Sequence, residues 1–347
     1  MAQGMISRRF RMGLGALLLT LIAVLAWGYE RVLYMPSRSF QGTPPPLGES
    51  GKQIEARLRR HVVALAAEIG PRDASQMAQL RHAAAYVRRA LEEAGLTVRA
   101  DTYEWQGRWF VNLVAVLEGD RRPDEVLVVG AHYDTVPASP GADDNASGVA
   151  VLIELARLLQ TQAHARTIRF VAFANEEHPF ASTPGMGSRV DARRASQGGE
   201  QIVGMLALET LGYYSDARGS QKYPPPLSWF YPSVGDFVAF VANSDSRDFV
   251  RRTIGAFRAQ ATVPSEGIAA PELIADIARS DHSSYWLHGY PALMVTDTAN
   301  FRNPAYHGPD DRPDTLDYTR LAHVTLGLEA AITALAAGSG RSGKQAK

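Results

Sequence analysis

Apolar positions divide the chain into an N-terminal run, a short irregular stretch and a long region of alternating patterns. Residues 12–29 read MGLGALLLTLIAVLAWGY without a charge, close to the roughly 20 apolar residues that carry a helix across a bilayer. Arg8, Arg9 and Arg11 precede the run. Cations tend to stay on the cytoplasmic side, which puts residues 1–11 in the cytoplasm and everything after Tyr29 on the extracytoplasmic side of a signal-anchor. A cleaved signal peptide, processed beside Val24 and Ala26, is the competing reading.

Residues 30–53 are rich in Pro, Gly and Ser, with Pro44, Pro45 and Pro46 in succession, and read as a semi-rigid spacer that holds the globular part off the membrane. Helical spacing then predicts helices over 54–69 and 76–94, the second with Leu80, Ala84, Val87 and Leu91 on one face and Gly95 as its stop. Short apolar runs at 111–117, 126–131, 168–174, 203–208 and 292–296 read as strands, and 146–160, 235–243, 247–260 and 317–337 as helices. Continuous apolar strands alternating with helices predict an α/β fold around a buried, mostly parallel sheet. One domain over 54–338 accommodates them, with 339–347 as a flexible tail. Between Tyr213 and Pro232, prolines and aromatics make a loop that could wall a pocket.

Composition narrows the chemistry. With 347 residues, 46% of them hydrophobic, the chain can bury a large core, and 36 Lys and Arg against 36 Asp and Glu leave no net field to draw a nucleic acid. There is no cysteine, which excludes thiolate catalysis, disulfides and Cys-type zinc sites, so a metal would have to be held by His, Asp and Glu.

Those residue types stand at strand ends. The run 126–131 passes directly into His132-Tyr133-Asp134, 168–174 ends in Asn175-Glu176-Glu177-His178, 203–208 ends in Glu209, and the loop after 292–296 carries Tyr306-His307. In open α/β sheets the carboxyl ends of strands form the ligand crevice. One His or Glu there is ordinarily a solvated loop residue or a helix cap, and Asp143 or Asp144 could cap the helix near Ala146. Four strand ends each bearing an oxygen or nitrogen donor point to a metal centre. Two divalent ions need a bridging carboxylate, for which Asp143 is the natural candidate, and an unligated glutamate as base. Glu176 and Glu177 can divide the roles of base and ligand, and Asp134 can accept the His132 ring N–H.

GAHYDTV, GADDNASG, FVAFANEEH, LALETLG and YHGPDDRPDTLDY occur in the order and context of the co-catalytic zinc aminopeptidases, the family of secreted leucine aminopeptidases and glutamate carboxypeptidases. IGPR at 69–72 and SDHSSYW at 280–286 also fit, so the resemblance spans roughly Ile69 to Leu335. It implies a three-layer α/β/α sandwich with a mixed, mostly parallel sheet, and a peptidase that holds two Zn2+ per chain, although cobalt or manganese would suit the same donors. Carried over by motif, His132 and Glu209 hold one ion, Glu177 and His307 the other, Asp143 bridges them, and the peptide between Asp143 and Asp144 is cis. Glu176 acts as general base and acid, Asp134 partners His132, and Tyr306 donates to the oxyanion. The family often has aspartate where Glu209 stands. The implied activity is hydrolysis of N-terminal peptide bonds. The alternatives are a carboxypeptidase-type relative, a glutaminyl cyclase-like enzyme with one zinc, and a non-catalytic binding ectodomain.

Overall fold

Helices α1 (Ala2–Gly28), α2 (Glu49–Val62) and α3 (Met77–Glu93) open the chain, with π-helical turns at Tyr29–Leu33 and Val63–Ile69. The computed structural model describes residues 2–338 except Ala275, so the tail expected at 339–347 lies outside the described residues. There follow β1 (Val98–Trp105), β2 (Arg108–Leu117), β3 (Arg122–His132), α4 (Gly148–Leu159), β4 (Arg166–Phe173), α5 (Gly187–Gln197) and β5 (Gln201–Glu209). The small pair β6 (Ser215–Arg218) and β7 (Val234–Gly235) comes next, then β8 (Val238–Asn243), α6 (Arg247–Arg258), β9 (Ser265–Ala270), α7 (His282–Trp286), β10 (Ala292–Thr296) and α8 (Tyr318–Ala337).

Eight strands form one sheet in the order β1-β2-β4-β3-β5-β10-β8-β9. Strands β4, β3, β5 and β10 run parallel, as do β8 and β9, while β1-β2, β2-β4 and β10-β8 are antiparallel. Successive side chains of a strand point to opposite faces, and both faces here are apolar. From β3, Leu127, Val129 and Ala131 join the core beneath α2, α3, α4, α6 and α8, whereas Val126 and Val128 meet Ala192 and Ala195 of α5 and Tyr285 of α7 on the other side. The result is the expected three-layer α/β/α sandwich. Helix α8 is apolar enough to cross a membrane, with mean hydropathy 1.2, but it packs on α2, α4 and α6 as a core helix.

Two expectations are corrected. The segment 235–243 is not a helix: it forms β7 and β8, with Val238, Phe240 and Ala242 turned to the main core. A short run that is apolar at nearly every position fits either period, and here the gap between β10 and β9 supplies hydrogen bonds on both sides. Nor is 30–53 a free spacer. Met35 is buried in the main core against Gly267, where even a Cβ on the glycine would come within 2.9 Å of it. Arg258 donates to the carbonyls of Pro36 (3.2 Å) and Ser37 (3.1 Å), Ser265 N–H donates to Ser39 Oγ (2.8 Å), and His323 Nε2 lies 2.9 Å from the Pro45 carbonyl. Between the turn at Tyr29–Leu33 and the start of α2 at Glu49, prolines deny the chain a helix, and the domain satisfies its backbone instead.

A docked segment has a measurable consequence. Met35→Ala should lower the stability of the full chain in detergent by about 2–3 kcal/mol in urea unfolding, whereas a free spacer would show no change.

Candidate metal centre

Because β3, β4 and β5 are parallel neighbours, their carboxyl ends share one rim. His132 ends β3, Glu176 and Glu177 sit in the turn after β4, Glu209 ends β5, and His307 arrives on the loop after β10. The Asp134 carboxylate ties two of these ends together: Oδ1 accepts from Glu176 N–H and Oδ2 from Glu177 N–H, each at 3.1 Å, and Oδ1 stands 3.5 Å from His132 Nδ1. Asp134 thus stands beside His132 without a hydrogen bond to its ring, and its carboxylate bonds go to the backbones of both glutamates.

Two triads result. His132 Nε2 is 3.3 Å from Asp144 Oδ1 and 3.2 Å from Glu209 Oε2, while His307 Nε2 is 3.1 Å from Asp144 Oδ2 and 3.4 Å from Glu177 Oε1. In each triad the three donor atoms lie within 4.8 Å of one another. Both nitrogens of His132, Asp144 Oδ1 and Glu177 Oε1 are buried without a hydrogen-bond partner. Buried polar atoms are ordinarily paired, and carboxylates crowded away from water need protons or a cation to compensate them. Orphaned oxygen and imidazole donors converging on two points fit divalent metal ions of the zinc type.

The carboxylate between the histidines is Asp144, not Asp143. Asp311 accepts both backbone N–H groups, Asp143 at 2.8 Å and Asp144 at 3.1 Å, and with the backbone so held the two side chains diverge. Asp143 turns inward, where Oδ1 accepts from Gly212 N–H and Oδ2 from Asn303 Nδ2, each at 2.8 Å. Burial, reinforced by Asp297 and Asp311, holds its carboxyl well above the ordinary range. Burial would raise Asp144 too, but the imidazoles at its two oxygens draw it below that range. The cis peptide lies between Asp144 and Asn145, one position later than expected. The glycine of GADD has its own reason: Gly141 sits at φ +62, and a Cβ there would meet the Asp144 carbonyl at 2.3 Å.

Burial opposes protonation of His132, yet Glu209 and Glu176 outweigh it and hold the ring well above its usual value. His307, half-exposed, is likewise drawn up to about 10 by Asp144 and Glu177 against burial. Burial, then Asp144, pushes Glu177 to about 7. Glu176 rises well above the carboxylate range, first through burial and then through Glu209 and Glu177 against the pull of His132. Its Oε2 stands 3.9 Å from His132 Nε2, at the edge of the cluster. Tyr306 stacks on His307 at 3.8 Å, and its hydroxyl accepts from Arg279 Nη2 at 2.5 Å.

Several contributors had only a motif to signal them. Arg72 of the IGPR sequence is fully buried, donating to the carbonyls of Leu65, Gly70, Tyr133, Pro140 and Gly141 at 2.6–3.3 Å and so pinning the loop between His132 and Asp144. Ser280, which opens SDHSSYW, donates to Glu209 Oε2 at 2.6 Å. Asn145 donates to the Leu208 carbonyl at 2.8 Å and accepts from Thr210 N–H at 3.1 Å, joining the Asp144 loop to the end of β5. Beside Glu209 opens a mainly apolar cavity walled by Tyr223, Leu227 and Tyr231 of the aromatic loop and by Phe237, Ile268 and Phe301.

The family described as Peptidase family M28 matches residues 112–332. The uncharacterized protein YfbL of Escherichia coli (strain K12) is 37% identical over 294 residues, 82% of this chain and 88% of that protein. Among solved structures, LapB from Legionella pneumophila superposes with a TM-score of 0.65 at 22% identity, covering 86% of this chain and 79% of that one. BSAP, a zinc aminopeptidase from Bacillus subtilis, superposes with 0.63 at 14% identity, covering 80% and 94%. The fold is therefore that of zinc aminopeptidases. By the family match and the relative spanning most of its length, the chain belongs to peptidase family M28.

Proposed function

We propose that the chain is a two-zinc aminopeptidase that hydrolyses N-terminal peptide bonds with Glu176 as its proton carrier, anchored in a membrane by α1. The observation that carries this reading is the pair of triads sharing Asp144, with their orphaned donor atoms. His132 and Glu209 would hold one ion, Glu177 and His307 the other, and Asp144 would offer one oxygen to each. Ions so held would supply Lewis acidity to the scissile carbonyl and bring the pKa of a water toward ~7.

The chain's own groups do the rest. Glu176, with its proton affinity raised by burial, takes the proton of the attacking water at its carboxylate and hands it to the departing amine. Asp134 keeps the Glu176 and Glu177 backbones fixed while the proton moves. The Tyr306 hydroxyl, placed by Arg279 and by its stack on His307, donates to the oxygen that gains charge on the substrate carbonyl. The mainly apolar cavity beside Glu209 receives the side chain of the substrate's first residue, so leucyl and phenylalanyl substrates suit it better than charged ones. A single-zinc cyclase would leave the His132–Glu209 triad without a role. Residues Leu14–Leu33, of mean hydropathy 1.7 and exposed from Leu14 to Trp27, support the anchor, with the peptidase domain on the extracytoplasmic side.

The direct test is chelator-sensitive, zinc-restored hydrolysis of leucyl chromogenic substrates with free and blocked amines. Only the free-amine set should be cleaved; equal cleavage of both would refute an aminopeptidase. Glu176→Gln should lower kcat by about 10²–10⁴-fold with metal content unchanged, and a near-native rate would remove Glu176 from its role. Asp144→Asn should weaken metal binding by more than the roughly 10–100-fold typical of a group behind the ligands, while Asp143→Asn keeps both ions. Metal analysis of the two variants separates them, and the reverse pattern would restore Asp143 as the bridge. Protons compete with metal at His307 and Glu177, both of which bind protons more readily than the free side chains, so zinc retained after dialysis should fall as pH is lowered. Full retention down to the ordinary carboxylate range would count against this ligand set.

A further inference from the structure

The most exposed large apolar side chains of the globular part are Leu273, 95% exposed, and Trp229, 82%, with Phe230 beside it at 55%. Trp109 and Leu287 are also exposed but stand on other elements, β2 and the turn after α7. The loops that carry Leu273 and Trp229 share a base: Leu227, Tyr231 and Ile274 pack with Ile268 and Ile277, and the same apolar cluster takes in Val32 and Leu33 of the turn that follows α1. That turn is held to the domain on its polar side as well. Arg247 donates to the Arg31 carbonyl at 3.0 Å, and Arg251 bonds the Glu30 carboxylate at 2.9 Å and the Tyr34 carbonyl at 3.2 Å.

This leaves the domain no slack. The five residues Tyr29–Leu33, at about 1.5 Å each, span about 7 Å, and Met35 is already in the core. If α1 enters a bilayer, the surface around Val32 and Leu33 is brought against its face, and that surface bears Leu273, Trp229 and Phe230. Tryptophan is suited to the headgroup layer of a bilayer, and the neighbouring exposed apolar side chains can enter it without losing a polar partner. Arg31, Arg38 and Arg252 are exposed along the same tether and helix, where anionic headgroups would meet them.

We infer that the Leu273 loop and the Trp229–Phe230 loop rest in the interfacial layer of the bilayer that α1 enters, so that the peptidase domain lies on the membrane along its β9 edge. The inference builds on the anchoring role of α1 and adds a second contact to it. It has a consequence for substrate access. The loop whose outer side carries Trp229 and Phe230 also walls the apolar cavity beside Glu209 with Tyr223, Leu227 and Tyr231. The cavity is thereby held near the membrane surface, where peptides with apolar N-terminal residues gather.

The absence of native cysteine allows a direct test with the full chain reconstituted in phosphatidylcholine–phosphatidylglycerol vesicles. Trp229→Cys, Leu273→Cys, Leu18→Cys and Glu104→Cys would each carry a nitroxide, and collision with oxygen and with a water-soluble nickel chelate would report immersion. Glu104, exposed on β1 at the far edge of the sheet, is the aqueous reference. Labels at 229 and 273 should lose chelate accessibility relative to 104, and the label at 18 should lose it almost completely. A lipid-immersed label at 18 with 229 and 273 as accessible as 104 would overturn the surface contact and leave the anchor standing. An accessible label at 18 would overturn both.

Discussion

Five carboxylates and two imidazoles meet at one rim of the sheet, most of them out of contact with water. Asp134, Asp144, Glu176, Glu177 and Glu209 are buried, and the closest imidazole–carboxylate approaches are 3.1–3.4 Å. At an effective dielectric of about 20, two like charges 4 Å apart repel by about 4 kcal/mol, so such a group is tolerated only if protons or cations compensate it. Much of the surrounding architecture serves to hold it together. The parallel run of β4, β3 and β5 brings three of the donor-bearing ends to the same side, and the loops that follow are tied by side chains that bond backbone.

Those ties give the centre its precision. Arg72 gathers five carbonyls, Asp311 takes the two amides of the Asp143–Asp144 pair, Asn145 fastens that loop to the end of β5, and Asp134 takes the amides of Glu176 and Glu177. None of the four stands in either triad. Each satisfies backbone groups that a loop at the top of a sheet would otherwise expose or leave unpaired. The donor groups of the two triads are then set by rigid neighbours, as a site with little tolerance in distance requires.

The same economy governs the placement of the domain. The segment after α1 gives its carbonyls to Arg247, Arg251 and Arg258 and its apolar side chains to β9 and its surroundings. A stretch that looks like a linker by composition thereby becomes part of the fold and fixes how the cavity beside Glu209 stands relative to the apolar helix.

Much of this was legible along the chain. The apolar runs that end in His132, Glu176, Glu177 and Glu209 identified both the sheet and its functional edge, because a buried strand needs apolar residues and polar groups can begin only where burial stops. His307 is legible as a donor on the loop after a fourth apolar run, whereas only its motif marks a role for Tyr306. Other features depended on partners far away in sequence. Asp143 and Asp144 are chemically identical neighbours, and which one faces the histidines follows from Asp311, Gly212 and Asn303. Residues 235–243 satisfy either period until β9 and β10 flank them, and Met35 reads as linker until Gly267 makes room for it. Local pattern reports which residues must leave water; which way a side chain turns is decided by the groups it meets there, and only the assembled structure brings those groups together.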